Sequence, residues 1–139
     1  MYVTFTRRGI AAAIALLLLV TAVCSRFSAA GITPQNGSTN AQRVQFITSL
    51  GIKTEEECIE TAEITIPSDF GAVYERYNKL QLEAGYDLRG YKGCAVTRYT
   101  YLTCETPKRR VNILVYKGRV IGGDISDTAL EGSMSALKK

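Results

Sequence analysis

Apolar and polar positions along this chain fall into blocks, each with its own period. Gly9–Ser25 carries no charge and centres on Ile10, Leu16, Leu17, Leu18, Leu19 and Val20. Behind Arg7 and Arg8, such a run is an export signal or a membrane anchor. Ser28–Asn40 is rich in Ser, Gly, Asn and Thr around one Pro and suits a flexible tether. Thr39 and Gln42 then have capping-box spacing, Ala41, Val44, Ile47 and Leu50 trace an apolar stripe, and Gly51 supplies a stop, which together predict a short helix. Ile52–Glu63 is an acidic connection, after which Ala62, Ile64 and Ile66 alternate as a strand ended by Pro67.

The main amphipathic helix is predicted next. Ser68 is its expected cap, and Phe70, Val73, Tyr74, Tyr77, Leu80 and Ala84 recur at helical spacing up to Gly85. The aromatic stripe Phe70, Tyr74 and Tyr77 is expected to pack on a sheet in preference to lining a ligand groove. Tyr86–Gly93 is a turn-rich link. Cys94–Cys104 follows as a long strand, with Ala95, Thr97, Tyr99, Tyr101 and Thr103 on one face and Val96, Arg98, Thr100 and Leu102 on the other. Val111–Tyr116 and Arg119–Ile125 form a predicted hairpin around Lys117-Gly118. Gly122-Gly123 marks a bulge or the close approach of another element. Thr128 with Glu131 predicts a last short helix carrying Leu130, Met134 and Leu137. The order α-β-α-β-β-β-α defines an α+β domain, a small antiparallel sheet of three to four strands with helices on one face.

Length confines this to one domain. The 139 residues divide into a signal peptide or anchor (1–30), a linker (31–39) and a single α+β domain (40–139). Seventeen uncharged residues separate Arg8 from Arg26; at the helical rise they reach about 26 Å, close to a hydrocarbon thickness, so length does not decide between signal and anchor. Ser28-Ala29-Ala30 places small residues for cleavage before Gly31, whereas Arg26 suits the outer interface of an uncleaved helix. Val23 before Cys24 argues against a lipobox. In either topology the domain is exported, to the membrane surface or as a secreted protein, with the membrane contacted through the N-terminal segment.

Charge supports this and little more. Arg7, Arg8 and Arg26 carry +3 of the formal +4, so the domain itself is close to neutral and lacks the basic face of a nucleic-acid binder. Lys108-Arg109-Arg110 is dense but follows Pro107 and suits a solvated turn. His is absent, which removes Ser-His-Asp and Cys-His sites and His-containing zinc sites from consideration. No cofactor loop or metal quartet is present in the sequence. The exported part holds Cys58, Cys94 and Cys104; Cys94 and Cys104 stand at opposite ends of one predicted strand, too far apart to bridge, so a disulfide would join Cys58 to one of them, with Cys104 the candidate.

Several ordered segments carry a resemblance. Ile66-Pro67-Ser68-Asp69-Phe70, Val73-Tyr74-Glu75-Arg76-Tyr77-Asn78-Lys79-Leu80-Gln81, Gly85-Tyr86-Asp87-Leu88, Tyr91-Lys92-Gly93, Arg98-Tyr99-Thr100-Tyr101 and Leu114-Val115-Tyr116-Lys117-Gly118-Arg119-Val120-Ile121-Gly122-Gly123-Asp124-Ile125 are together similar to a domain-of-unknown-function family of exported or membrane-tethered proteins in Gram-positive bacteria. The resemblance covers about Asn40 to Leu137 and implies export and a shared fold; it carries no catalytic residues to transfer. Where relatives place Cys, Phe and His near the C-terminus, this chain has Ser126, Ser133 and Ser135.

Function is expected on the tyrosine- and arginine-bearing sheet surface, with Arg98, Tyr99, Tyr101, Tyr91 and Tyr116 as binding residues and Asp124, beside the two glycines, as a further one. The first reading is a non-enzymatic module of the cell envelope that binds a protein, peptide or cell-wall component. The alternative is a small enzyme using Asp124 or Glu75 as general acid or base, and a thiol-redox protein comes third. A pocket with convergent polar side chains would favour the enzyme; an exposed Tyr/Arg patch over a filled core would favour the module.

Overall fold

The computed structural model describes residues 35–129 and 132–138. The export segment and its cleavage site, with Cys24, lie outside these residues, as do Leu130 and Glu131. Among the described residues no helix is long and apolar enough to cross a membrane.

The folded part reaches back beyond Asn40. Gly37 N–H donates to Gly118 O and Val120 N–H to Gln35 O, both at 2.9 Å, so the polar segment before the first helix lies along a hairpin. Backbone hydrogen bonds need no apolar side chains, so this stretch, tether-like in its hydropathy, is held in place all the same. Helix α1 (Asn40–Ser49) opens on the expected capping box of Thr39 and Gln42. Gly51, at φ 79°, takes the left-handed conformation that follows its end. The buried face differs from the expected stripe: Arg43, Phe46 and Ile47 are buried, Val44 and Leu50 flank them, and Ala41 is exposed.

Five strands follow: β1 (Glu60–Thr65), β2 (Ala95–Leu102), β3 (Arg109–Tyr116), β4 (Arg119–Asp127) and β5 (Met134–Ala136). They pair in the order β1-β2-β3-β4-β5, each antiparallel to its neighbours. Helix α2 (Ala72–Glu83) and a 3-10 turn at Leu88–Tyr91 connect β1 to β2. The β3–β4 hairpin turns where predicted, with Lys117 at φ 47° and Gly118 at φ 75°, the two left-handed residues of a type I′ turn. Ser68 and Asp69 do not cap α2, which begins three residues later behind Gly71 without a side-chain cap.

The helices lie on opposite faces of the sheet, not on one. Phe46 and Ile47 of α1 pack with Tyr101, Val111, Ile113, Val115 and Ile125. On the other face Val96, Leu114 and Ile121 pack with Ile66, Leu88 and the half-buried Tyr74 and Tyr77 of α2. The cause is local to β3, where Ile113, Leu114 and Val115 are consecutive apolar residues, so both faces of the sheet require cover.

The expected C-terminal helix is replaced by β5. Asp127 Oδ2 accepts from Ser133 N–H at 3.1 Å and from its hydroxyl at 2.8 Å, bending the chain back so that Met134–Ala136 pairs with the open side of β4. Pairing that edge satisfies backbone groups that a separate helix would have left unpaired. Leu137 is buried in the α1-side core.

Candidate ligand-binding cleft

The inward faces of α2 differ from a simple apolar stripe. Its two fully sheltered residues are Asn78 and Gln81. Asn78 Oδ1 accepts from Leu88 N–H at 2.7 Å, and its amide donates to Asp87 Oδ1 at 3.0 Å, binding the helix to the following 3-10 turn. Gln81 Oε1 accepts from Gly123 N–H at 2.8 Å. This contact falls beside a register shift in the β3–β4 pairing, where Leu114 faces Gly122 and Val115 faces Val120, leaving Ile121 as the extra residue of a bulge. Both senses of the Gly122-Gly123 signal are therefore realised: a bulge, and close approach by a helix side chain.

On the N-terminal side of Gln81 a cleft of about 530 Å³ lies between the helix and the sheet. Its walls are mainly apolar, from Ile64 of β1, Val73 and Leu80 of α2, Leu114 of β3 and Met134 of β5. Val73 and Met134 are 71% and 51% exposed at the rim. The floor, Asn112 and Asp124, is polar and built by strand register, with the buried Thr100 holding Asn112 from the side. Thr100 lies opposite Asn112, and Asn112 opposite Asp124, so three side chains line up across β2, β3 and β4. Thr100 Oγ1 donates to Asn112 Oδ1 at 2.7 Å, the Asn112 amide donates to Asp124 Oδ1 at 2.8 Å, and Tyr77 OH donates to Asp124 Oδ2 at 2.7 Å. Arg98 and Arg76 add two guanidinium groups to the lining.

Asp124 is 3% exposed, and burial pushes its carboxyl above the ordinary value against the opposing help of Asn112, Tyr77 and Arg98. The Tyr77 phenol is driven strongly upward, first by burial and then by the neighbouring Asp124 charge, which keeps it a donor across the physiological range. A carboxyl raised on folding holds its proton more tightly in the native state than in the unfolded chain. Its contribution to stability is therefore greatest in acid and declines as pH climbs from 3.8 through the raised folded value. Asp124→Asn removes the titration while retaining an acceptor. Its melting temperature relative to wild type is expected to increase as pH passes above 3.8 and then level off; a difference independent of pH would show that Asp124 does not titrate in this way.

The six residues expected to bind are distributed over three places. Arg98 and Asp124 share the cleft. Tyr99 and Tyr101 are on the opposite face, where the Arg43 guanidinium stands 3.6 Å from the Tyr99 ring centroid and Arg43 Nε donates to Tyr101 OH at 2.9 Å. Arg43 Nη1 donates to Gly37 O and Ser38 O at 2.7 and 3.1 Å, so a buried cation is satisfied by carbonyls, a hydroxyl and a ring face. Tyr91 and Tyr116 form an edge-to-face pair with centroids 5.6 Å apart and pack against the α2-side core. Among the described residues those expected to bind do not form a single Tyr/Arg surface. Glu75 is exposed in the first turn of α2 and does not line the cleft.

Cys58, Cys94 and Cys104 are all free, so the Cys58–Cys104 pairing is not formed in this structure. Lys108 pairs with Glu55, while Arg109 and Arg110 open β3 instead of completing a turn. Among the described residues no three His, Cys, Asp or Glu side chains are grouped to hold a metal. Asn112 and Arg76 are cleft residues outside the expected set, and Tyr74 and Tyr77 of the aromatic stripe line the cleft as well as packing toward the sheet. Asn112, interrupting the apolar run from Val111 to Val115, is the signal that would have found the polar row.

No protein-family model, curated protein or solved structure matches this chain. The class that fold and site define is a five-stranded antiparallel α+β domain with a cleft between one helix and the sheet.

Proposed function

We propose that this chain is an exported module, tethered to the membrane or secreted, that binds a component of the cell envelope in the cleft between α2 and the sheet and leaves it chemically unchanged. Kinship with the exported domain-of-unknown-function family belongs to the same proposal, on the ordered segments Ile66–Gln81 and Leu114–Ile125. One observation carries the binding reading: the cleft combines apolar walls with a polar floor whose carboxylate, Asp124, already has both oxygens in hydrogen bonds to Tyr77 and Asn112. A group so engaged orients its neighbours and is poorly placed to exchange protons with a substrate.

The test is a methyl-labelled sample of the full chain, mixed with soluble wall fragments and envelope-derived small molecules. Shifts concentrated at Ile64, Val73, Leu80 and Met134 are expected, with the added molecule recovered intact. Shifts centred near Tyr91 and Tyr116 would move the seat of binding. The second reading, acid–base catalysis by Asp124, is favoured by its burial and raised pKa in a cleft. Conversion of the added molecule that stops in Asp124→Asn would establish it.

A further inference from the structure

The lining of the cleft has a charge bias. Arg98 sends Nη2 to Glu60 Oε1 at 2.7 Å, and among the described residues it meets no other acceptor. Its Nε is buried without a partner. Arg76, across the cleft on α2, makes one long bond, Nε to Ala72 O at 3.4 Å, and no ion pair with a described residue. The carboxylate of the lining is occupied by Tyr77 and Asn112 and sits at the base. Cationic donor capacity is thus in excess, at the edge of an apolar hollow.

Resting on the reading of this cleft as a ligand seat, we propose that its occupant is an amphiphile with a single carboxylate head, the head held between Arg76 and Arg98 and the apolar body laid along Val73, Leu80 and Met134. A carboxylate presents two coplanar oxygens that match the guanidinium fork. A phosphate monoester brings up to two charges, one more than this lining balances while the Arg98 charge is shared with Glu60. An extended peptide would lay backbone amides against Ile64, Leu80 and Leu114, where no side chain can pair them. A volume of about 530 Å³ suits a small ligand of this kind.

The experiment uses the full chain in lipid nanodiscs, titrated with octanoate, octylammonium and octanol and read by saturation-transfer NMR, with empty nanodiscs as the partition blank. Octanoate is expected to bind saturably and about tenfold or more tighter than either other probe. Arg98→Met and Arg76→Gln should each weaken octanoate about fivefold and leave octanol unchanged. Val73→Glu, at the exposed rim, should abolish octanoate binding. Melting curves accompany each variant, and Arg76, exposed on α2, provides the arm in which packing is undisturbed. Octanol binding as tightly as octanoate, in a manner that Val73→Glu abolishes, would overturn the head-group assignment and leave the cleft standing. Octanoate binding unaffected by Val73→Glu would place it elsewhere and overturn both. Failure of all three probes would overturn the amphiphile, while the methyl-shift mapping still decides whether the cleft binds anything.

Discussion

Replacing Tyr101 by alanine is expected to lower the unfolding free energy by about 4 kcal/mol, a large share of what holds a domain of this size together. The ring is fully buried among Phe46, Ile47, Val111 and Ile113, so truncation opens a cavity in the middle of the α1-side core. The hydroxyl has a second role: it accepts from Arg43 Nε at 2.9 Å and donates to Asn40 Oδ1 at 2.7 Å. Its loss leaves a buried guanidinium short of an acceptor, a penalty added to that of the cavity. Tyr101→Phe separates the two, keeping the ring and losing about 1–2 kcal/mol through the hydroxyl alone. Denaturant unfolding of both variants with an unchanged m-value checks this. If alanine cost under about 1 kcal/mol, Tyr101 would be a surface residue and an interface role on that face would return.

Gly123→Ala should cost about 3 kcal/mol for a different reason. A Cβ at this position would come within 2.2 Å of the Asn112 carbonyl oxygen and 2.8 Å of Leu137 Cδ2. The first is backbone and cannot swing aside, so relief requires β3 and β4 to part next to the bulge, where Gly123 N–H also donates to Gln81. Moving Asn112 in turn loosens its bond to Asp124, so methyl shifts at the cleft should accompany the lower melting temperature. Gly122→Ala meets side chains and no backbone, the Gln81 amide at 2.6 Å and Leu88 Cδ2 at 3.4 Å, and should cost less. Gly71→Ala, with nothing within 4 Å of its Cβ, is the control and should be near neutral. A Gly123 variant that melts with the Gly71 control would mean that the hairpin yields freely at the bulge.

Much of the framework was legible where neighbours in sequence are neighbours in space. The capping box at Thr39 and Gln42, the left-handed Gly51 and Gly85 after the two helices, the Lys117-Gly118 turn and the two-faced alternation of β2 are all present. The failures share a feature. Arg43, Asn78 and Gln81 were unreadable as core because a polar side chain is buried only if distant groups satisfy it, and those groups are Tyr101, Leu88 and Gly123. The last helix failed because Met134 and Leu137 fit helical spacing equally well, and the deciding factor was the open edge of β4. Arg98 and Asp124 were named from the sequence, but their company was not. Tyr99 and Tyr101 belong to the other side of the sheet, and Asn112 and Tyr77 replace them.

By itself the sequence determined the α+β class, the positions of both helices to within a few residues, the hairpin and the neutrality of the domain, since each rests on patterns only a few residues long or on composition alone. Tertiary structure decided that the two helices take opposite faces, that the chain ends in a strand, and that a cleft opens beside α2. It also decided what lies in that cleft: Tyr77 reaches Asp124 across 47 residues and Asn112 reaches it across 12, through strand register and helix placement. Side chains that far apart in the chain acquire their protonation and their partners only when packing brings them within hydrogen-bond distance and removes the water that would otherwise serve each of them equally well.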